Sequence, residues 1–238
     1  MTPSENQEEP VISPREEALH YGEVCNCKLV REITAAFAHL VDASDSYTNS
    51  HSFRVAHYTK LLTIELGYSE EITERYYYAA LLHDIGKTTI PKHVLFKNGR
   101  LSRQDCQAIR EHPIRGYEAL KDIRSAPELA QAAAFHHERP DGKGYPYGLR
   151  ANSIPRVAQI IAVADAFDAM YSDRPYRERM NFEMAVEQIR TGAGTQFFAD
   201  VVEAFMSIVQ KGILRASNDL GGGCTENIDN TRKMTQTA

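Results

Sequence analysis

HHERPDGKGYP, residues 136–146, is the stretch whose reading decides the fold. It closes an Ala-rich apolar run, Leu129 to Phe135, with His136 and His137, and then breaks at Pro140, Asp141-Gly142 and Gly144. Two adjacent histidines ending a buried helix are costly unless a metal or a hydrogen bond takes up their ring nitrogens. Neighbouring residues on a helix point roughly 100° apart, so both rings meet one ligand only where the chain leaves the last turn. The stretch therefore predicts a helix that stops at a ligand site and runs into a long functional loop ending near Pro155.

Helical spacing continues on both sides. Upstream, Leu29, Ile33, Phe37 and Leu40 form one face of a helix over 28–41, and Val55, Tyr58, Leu62 and Leu66 form another that Gly67 stops. Ser69 caps a third helix, whose stripe of Ile72, Tyr76 and Ala79 ends at His83. Ser102 with Asp105 reads as a capping box, Pro113 restarts the chain after His112, and Pro127 opens the Ala-rich helix. Downstream, IPRVAQIIAVADAFDAMY (154–171) is apolar almost all round, as a central helix is, and amphipathic segments follow at 182–189 and 201–209. No strand alternation persists and no repeat is visible. The expectation is an all-α fold with one helical domain over 28–211, an acidic disordered segment over 1–27 and a flexible tail over 212–238.

The formal net charge of −5 is uneven: residues 1–28 hold six Glu against Arg15 and Lys28. The nearly neutral remainder argues against a surface for nucleic-acid polymers. No apolar run is long enough to span a bilayer, and the acidic N-terminus does not resemble a signal peptide. Four irregularly spaced cysteines, Cys25 and Cys27 among them, fit a reduced cytoplasm better than a disulfide framework.

His51, His83, Asp84, His112, His136, His137 and Asp165 all fall on apolar faces or at helix ends. Singly, each reads as a satisfied core histidine or a capping aspartate. Together they read as a metal site, and imidazole with carboxylate suits Fe, Mn or Zn better than Mg or Ca. Asp84, beside His83 at a helix end, offers one oxygen to each of two metals. Asp165 and Asp168 lie three apart on the most apolar helix, a costly place without cations nearby. Lys87, Arg174 and Arg177 follow these ligands closely, where ammonium and guanidinium groups suit phosphate oxygens. Two metals about 3.5–4 Å apart share a hydroxide and aim it at phosphorus. The chemistry predicted is phosphodiester hydrolysis, with Asp84, Lys87 and Asp168 as catalytic groups.

The chain resembles the HD-GYP domains, a bacterial branch of the HD phosphohydrolase superfamily. The resemblance runs through HSFRVA (51–56), HDIGK (83–87), HP (112–113), HHERPDGKGYP (136–146), IP (154–155), ADAFDAM (164–170) and SDRPYR (172–177). It implies a helical fold, a centre of two and sometimes three metals, often iron or manganese, and hydrolysis of cyclic di-GMP to pGpG or GMP. It places His51, His83, Asp84, His112, His136, His137 and Asp165 at metal-ligand positions, with Asp84 bridging. Lys87, Arg174, Arg177, Gly144, Tyr145 and Pro146 fall on substrate positions, and the loop at 144–146 also docks diguanylate cyclases or other signalling proteins. Members with a third metal carry Glu where this chain has Tyr47, so two divalent ions are expected. Phe197-Phe198-Ala199 replaces a common Phe-Asp-Pro, which softens the start of the last helix. The short acidic segment leaves no room for a sensor domain, so the usual regulatory input is expected to be either absent or supplied by another protein, with a homodimer as a candidate assembly. Alternatives are another cyclic dinucleotide such as 3′3′-cGAMP, an oxygen-activating di-iron centre, and a non-catalytic docking module. The basic residues and the loop favour phosphate chemistry over the oxidative reading.

Overall fold

The computed structural model describes residues 14–44, 50–97, 99–172 and 179–215, with side chains described from residue 28 onward except at 44. Ten helices run through them: α1 (Pro14–Ser44), α2 (His51–Glu65), α3 (Glu70–Leu81), α4 (Lys92–Leu95), α5 (Arg103–Arg110), α6 (His112–Leu120), α7 (Pro127–Phe135), α8 (Arg156–Tyr171), α9 (Phe182–Thr191) and α10 (Ala199–Gln210). Short 3-10 turns occupy Ile85–Thr89 and Ala151–Ser153. No β-strand occurs among the described residues, only isolated bridges at Asp141–Arg150 and Ala193–Phe197. The architecture is all-α, as the missing alternation predicts.

Local chemistry sets most boundaries. Gly67, with φ of 79°, turns the chain after α2 as its N–H donates to Ile64. The Ser69 hydroxyl accepts from the Ile72 amide to start α3, and Ser102 with Asp105 makes a full capping box on α5. Pro113 and Pro127 stand in the first turns of α6 and α7, where their missing N–H costs nothing. Phe198 precedes α10 with no side-chain cap.

α8 is the axle. Val157, Ile160, Ile161, Val163, Ala164 and Phe167 are buried on nearly every side of it. The Phe167 ring meets Tyr58 at 5.2 Å, Tyr171 at 5.4 Å and Phe205 at 5.2 Å. α2 and α3 pair on one flank and α6 and α7 on another, which leaves the ligand-bearing helix ends facing α8.

Two expectations need correction. Residues 14–27 belong to α1 rather than to a disordered segment. Pro14 at the first helical position, followed by Glu16 and Glu17, is a good helix start that averaging over the acidic stretch conceals. The second concerns the face of α1 that packs. Leu29, Ile33, Phe37 and Leu40 are about half exposed, whereas Thr34, Ala38 and Val41 are buried. Small residues let α1 approach its neighbours closely, and the larger apolar stripe is left outside.

Candidate metal centre

Five segments deliver the histidines and acids. His51 is the first residue of α2, and His83 and Asp84 occupy the turn between α3 and the 3-10 turn at Ile85–Thr89. That turn lies against α6 because residue 86 is glycine: a Cβ there would stand 2.0 Å from the carbonyl oxygen of His112. His112 opens α6. His136 caps α7 and His137 follows it, at the point of exit that paired use of both rings requires. Asp165 comes from the middle of α8.

These groups converge. One ligand atom from each of Asp84, His112, His136 and His137 lies within 4.8 Å of the others, and His51, His83 and Asp165 form a second such group. Asp84 stands between them. Its Oδ1 is 3.2 Å from His112 Nε2 and 3.7 Å from His136 Nε2. Its Oδ2 is 3.4 Å from His83 Nε2 and 3.7 Å from His51 Nε2. His51 Nε2 is also 3.4 Å from Asp165 Oδ1.

The far nitrogens of four rings are already committed. His83 Nδ1 lies 2.6 Å from the Ala80 carbonyl, His112 Nδ1 2.7 Å from that of Ile109, and His136 Nδ1 2.9 Å from that of Ala132. His51 Nδ1 lies 2.7 Å from Asp168 Oδ2. A carbonyl requires an N–H opposite it, so Nε2 of His83, His112 and His136 each turns a lone pair inward. His112 Nε2 and His136 Nε2 are 3.3 Å apart, a contact of two lone pairs in these tautomers. His83 Nε2 and Asp84 Oδ1 are buried without a hydrogen-bond partner. Orphaned acceptors packed this closely fit divalent cations between them, since leaving them bare is expensive.

The electrostatics agree. Burial opposes charge on Asp84, yet Lys87, His83, His112 and His51 hold its carboxyl well below the usual range. Burial pulls His51 down, but Asp168, Asp84 and Asp165 outweigh it and lift the ring to about 10. Their negative field attracts a metal cation as it attracts a proton. Burial keeps His136 far below its ordinary value and takes His137 to about 3. Both rings are neutral at physiological pH, the form in which an imidazole can ligate a metal.

Asp168, expected among the catalytic groups, has a different place. It accepts from His51, from Arg54 Nε at 2.6 Å and Nη2 at 3.0 Å, and from Ser172 Oγ at 2.9 Å. It stands behind the His51 ring, bound to Nδ1, while Nε2 of that ring faces Asp165 and Asp84. The i, i+3 spacing from Asp165 puts both on one side of α8 and suggested a shared role, but Asp165 meets Nε2 of His51 while Asp168 meets its Nδ1 and Arg54.

Lys87 Nζ lies 2.6 Å from Asp84 Oδ2. Beyond it the loop of the opening motif folds over a cleft of about 290 Å³ lined by His136, His137 and Asp165. Buried Glu138 accepts from the amides of Tyr147 at 2.7 Å and Leu149 at 2.9 Å, which curls the loop. At Gly144 a Cβ would fall 2.5 Å from the Arg139 nitrogen and 2.6 Å from the His137 oxygen. The loop can therefore lie flat on the helix end, with Tyr145 stacked on His137 at 4.6 Å. Arg110, whose guanidinium lies 5.0 Å from the Tyr145 ring centre, also lines the cleft with Arg139, Lys143 and Gln196. None of these four was singled out from sequence. Arg139 and Lys143 sit inside the motif itself, and that was the available signal. Arg174, Arg177 and Tyr47 lie outside the described residues.

An HD domain family profile matches residues 35–201. Cyclic di-GMP phosphodiesterase of Thermotoga maritima is 39% identical over 172 residues, covering 71% of this chain and 46% of that protein. The 3′3′-cGAMP-specific phosphodiesterase 3 of Vibrio cholerae is 37% identical over 176 residues, covering 72% of this chain and 38% of that protein. The chain thus spans less than half the length of these two curated relatives. A solved HDG"Y"P protein of Bdellovibrio bacteriovorus superposes with a TM-score of 0.56 at 21% identity, over 67% of this chain and 51% of that one, a likeness of fold.

Proposed function

This chain belongs to the HD domain family, in its HD-GYP branch, and on that premise we propose that it is a metal-dependent phosphodiesterase opening cyclic di-GMP to pGpG or GMP. The observation that carries the reading is the division of Asp84, one oxygen toward His112 and His136 and the other toward His51 and His83. Two divalent cations would be held by Asp84, His112, His136 and His137 on one side and His51, His83 and Asp165 on the other; this N/O donor set suits Fe, Mn or Zn, and the family resemblance favours iron or manganese. Bound there, they supply Lewis-acid charge and make water a nucleophile at neutral pH.

The chain's own groups bind and orient. Lys87, anchored on Asp84, is a point charge for a non-bridging phosphate oxygen. Tyr145 walls the cleft with a ring fixed against His137. Burial and the charges of Asp84 and Asp165 keep its hydroxyl protonated, hence a donor. Gly144 and Pro146 complete the loop, and Arg174 and Arg177 add guanidinium charge for the substrate. Asp168 orients His51.

The Vibrio cholerae relative supports 3′3′-cGAMP as the competing substrate. In the same reading the catalytic unit is 28–211 and the location cytoplasmic. No described helix is long and apolar enough to cross a membrane. Docking of diguanylate cyclases or other signalling proteins through the loop is supported by Tyr147, which is 56% exposed. A homodimer is supported by the outward stripe of α1. In this reading a second copy of that helix covers the stripe, apolar face to apolar face across Leu29, Ile33, Phe37 and Leu40.

The test is anaerobic loading with Fe(II) or Mn(II), then cyclic di-GMP and 3′3′-cGAMP offered separately. Product from cyclic di-GMP at the higher kcat/KM supports the proposal, and preference for 3′3′-cGAMP reassigns the substrate. Two bound metals with neither nucleotide opened removes it. Asp84→Ala is expected to abolish both metal content and turnover.

A further inference from the structure

The two cation groups draw on different helices. Asp84, His112, His136 and His137 come from the α3 exit, α6 and α7, whereas two of the three residues of the other group, His51 and Asp165, come from α2 and α8. What holds α2 to α8 beside that second group is one buried carboxylate. Asp168 Oδ1 accepts from Arg54 Nε and Ser172 Oγ, and Oδ2 accepts from Arg54 Nη2 and His51 Nδ1. A carboxylate has about four lone-pair directions, and all are used. Asp168 therefore has nothing left to offer a cation or a substrate.

Arg54 lies three residues after His51 on α2, so one helix presents a ring and a guanidinium fork to the same carboxylate. The fork fixes the carboxylate plane. That plane fixes the direction of the His51 Nδ1–H bond, and the ring then aims Nε2 at Asp165 and Asp84. Without the fork, Asp168 would keep two of its four donors and could turn about its side-chain bonds. The other cation group makes no use of it.

We propose that Arg54 is a positioning residue for one cation position only, the one formed by His51, His83 and Asp165. The inference rests on the metal reading above but not on which nucleotide is cleaved. The full chain is titrated with Mn(II), reading bound metal per chain and the electron paramagnetic resonance spectrum. Wild type is expected to bind two Mn(II) with the spectrum of an exchange-coupled pair. Arg54→Met is expected to hold the first Mn(II) as in wild type and to bind the second roughly 10–100-fold more weakly, the usual cost of losing a partner behind a metal ligand. At one equivalent its spectrum becomes the six-line signal of isolated Mn(II).

Arg54→Gln, which keeps a donor without the charged fork, carries the same expectation and stays readable if Arg54→Met does not fold. Either variant binding two coupled Mn(II) with wild-type affinity overturns the inference, as does equal weakening of both ions. A wild-type chain that binds two ions but opens no cyclic dinucleotide removes the proposed function and leaves Arg54's role standing. A wild-type chain that never takes a second ion removes both.

Discussion

Lys87 places its ammonium 2.6 Å from Oδ2 of Asp84, the oxygen that also faces His83 and His51. The lysine therefore competes with a cation for that oxygen while presenting positive charge to the cleft. Lys87→Met is expected to leave metal content intact, or to tighten it, and to lower kcat by about 10²–10³, the scale of one lost electrostatic contact to the transition state. Metal analysis beside steady-state kinetics checks this. Loss of metal in step with activity would contradict it.

Gly144 has no room for a side chain, because a Cβ would meet Arg139, Glu138 and His137 backbone atoms at 2.5–2.6 Å. Gly144→Ala should lift the loop from the end of α7, cost about 1–3 kcal/mol of stability and raise KM through loss of the Tyr145 wall. The metals should remain. Denaturant midpoints with KM read both effects, and an unchanged KM would show that the loop does not touch substrate.

The metal-free protein should lose stability as pH falls below about 6.5. Burial holds His137 near 3 in the folded chain against its ordinary 6.5, so the unfolded chain takes up a proton that the native state refuses. Such a group contributes a slope of at most about 1.4 kcal/mol per pH unit between those values. Asp168, held to about 2 by His51 and Arg54 against the opposing effect of burial, adds a stabilisation present above its ordinary 3.8 and lost toward 2. His51 runs the other way. Its stabilisation is complete below 6.5 and disappears as pH rises through about 10. Urea melts from pH 3 to pH 8 should show a shallower acid slope in His137→Asn than in wild type. Parallel curves would reject the assignment.

The α1 stripe makes a separate prediction. Phe37 and Leu40 are 48% and 61% exposed, so their replacement by Glu should leave the monomer fold intact. Sedimentation velocity should show wild type as a dimer and Phe37→Glu/Leu40→Glu as a monomer with an unchanged far-ultraviolet spectrum. A dimer in both would place the interface elsewhere.

Much of the fold was legible because local signals carry it. Ser69, Ser102, Pro113 and Pro127 mark helix starts through backbone chemistry that needs no partner, and the all-round apolarity of 156–171 marks a helix enclosed by others. The outward face of α1 was misread for a physical reason. Periodicity shows that a helix has an apolar side, but whether that side meets the core depends on how closely its small-residue side can dock. The helical start at Pro14 was hidden by the acidic composition around it.

The histidines and acids of the centre were nameable from the linear chain, because charged or polar groups on apolar faces stand out wherever they occur. Their division was only partly so. The pair His83-Asp84 announces a bridging carboxylate, yet which histidine faces which oxygen depends on where α6, α7 and α8 cross. Asp165 and Asp168 look alike in sequence, three residues apart on one helix. Only the packing of α2 against α8, with Arg54 arriving beside His51, turns one toward Nε2 of His51 in the cluster and leaves the other holding that ring by Nδ1. Residue identity determined which groups can bind metal and phosphate, and tertiary packing decided which of their atoms point at each other, since that direction is set by helix crossings no local pattern encodes.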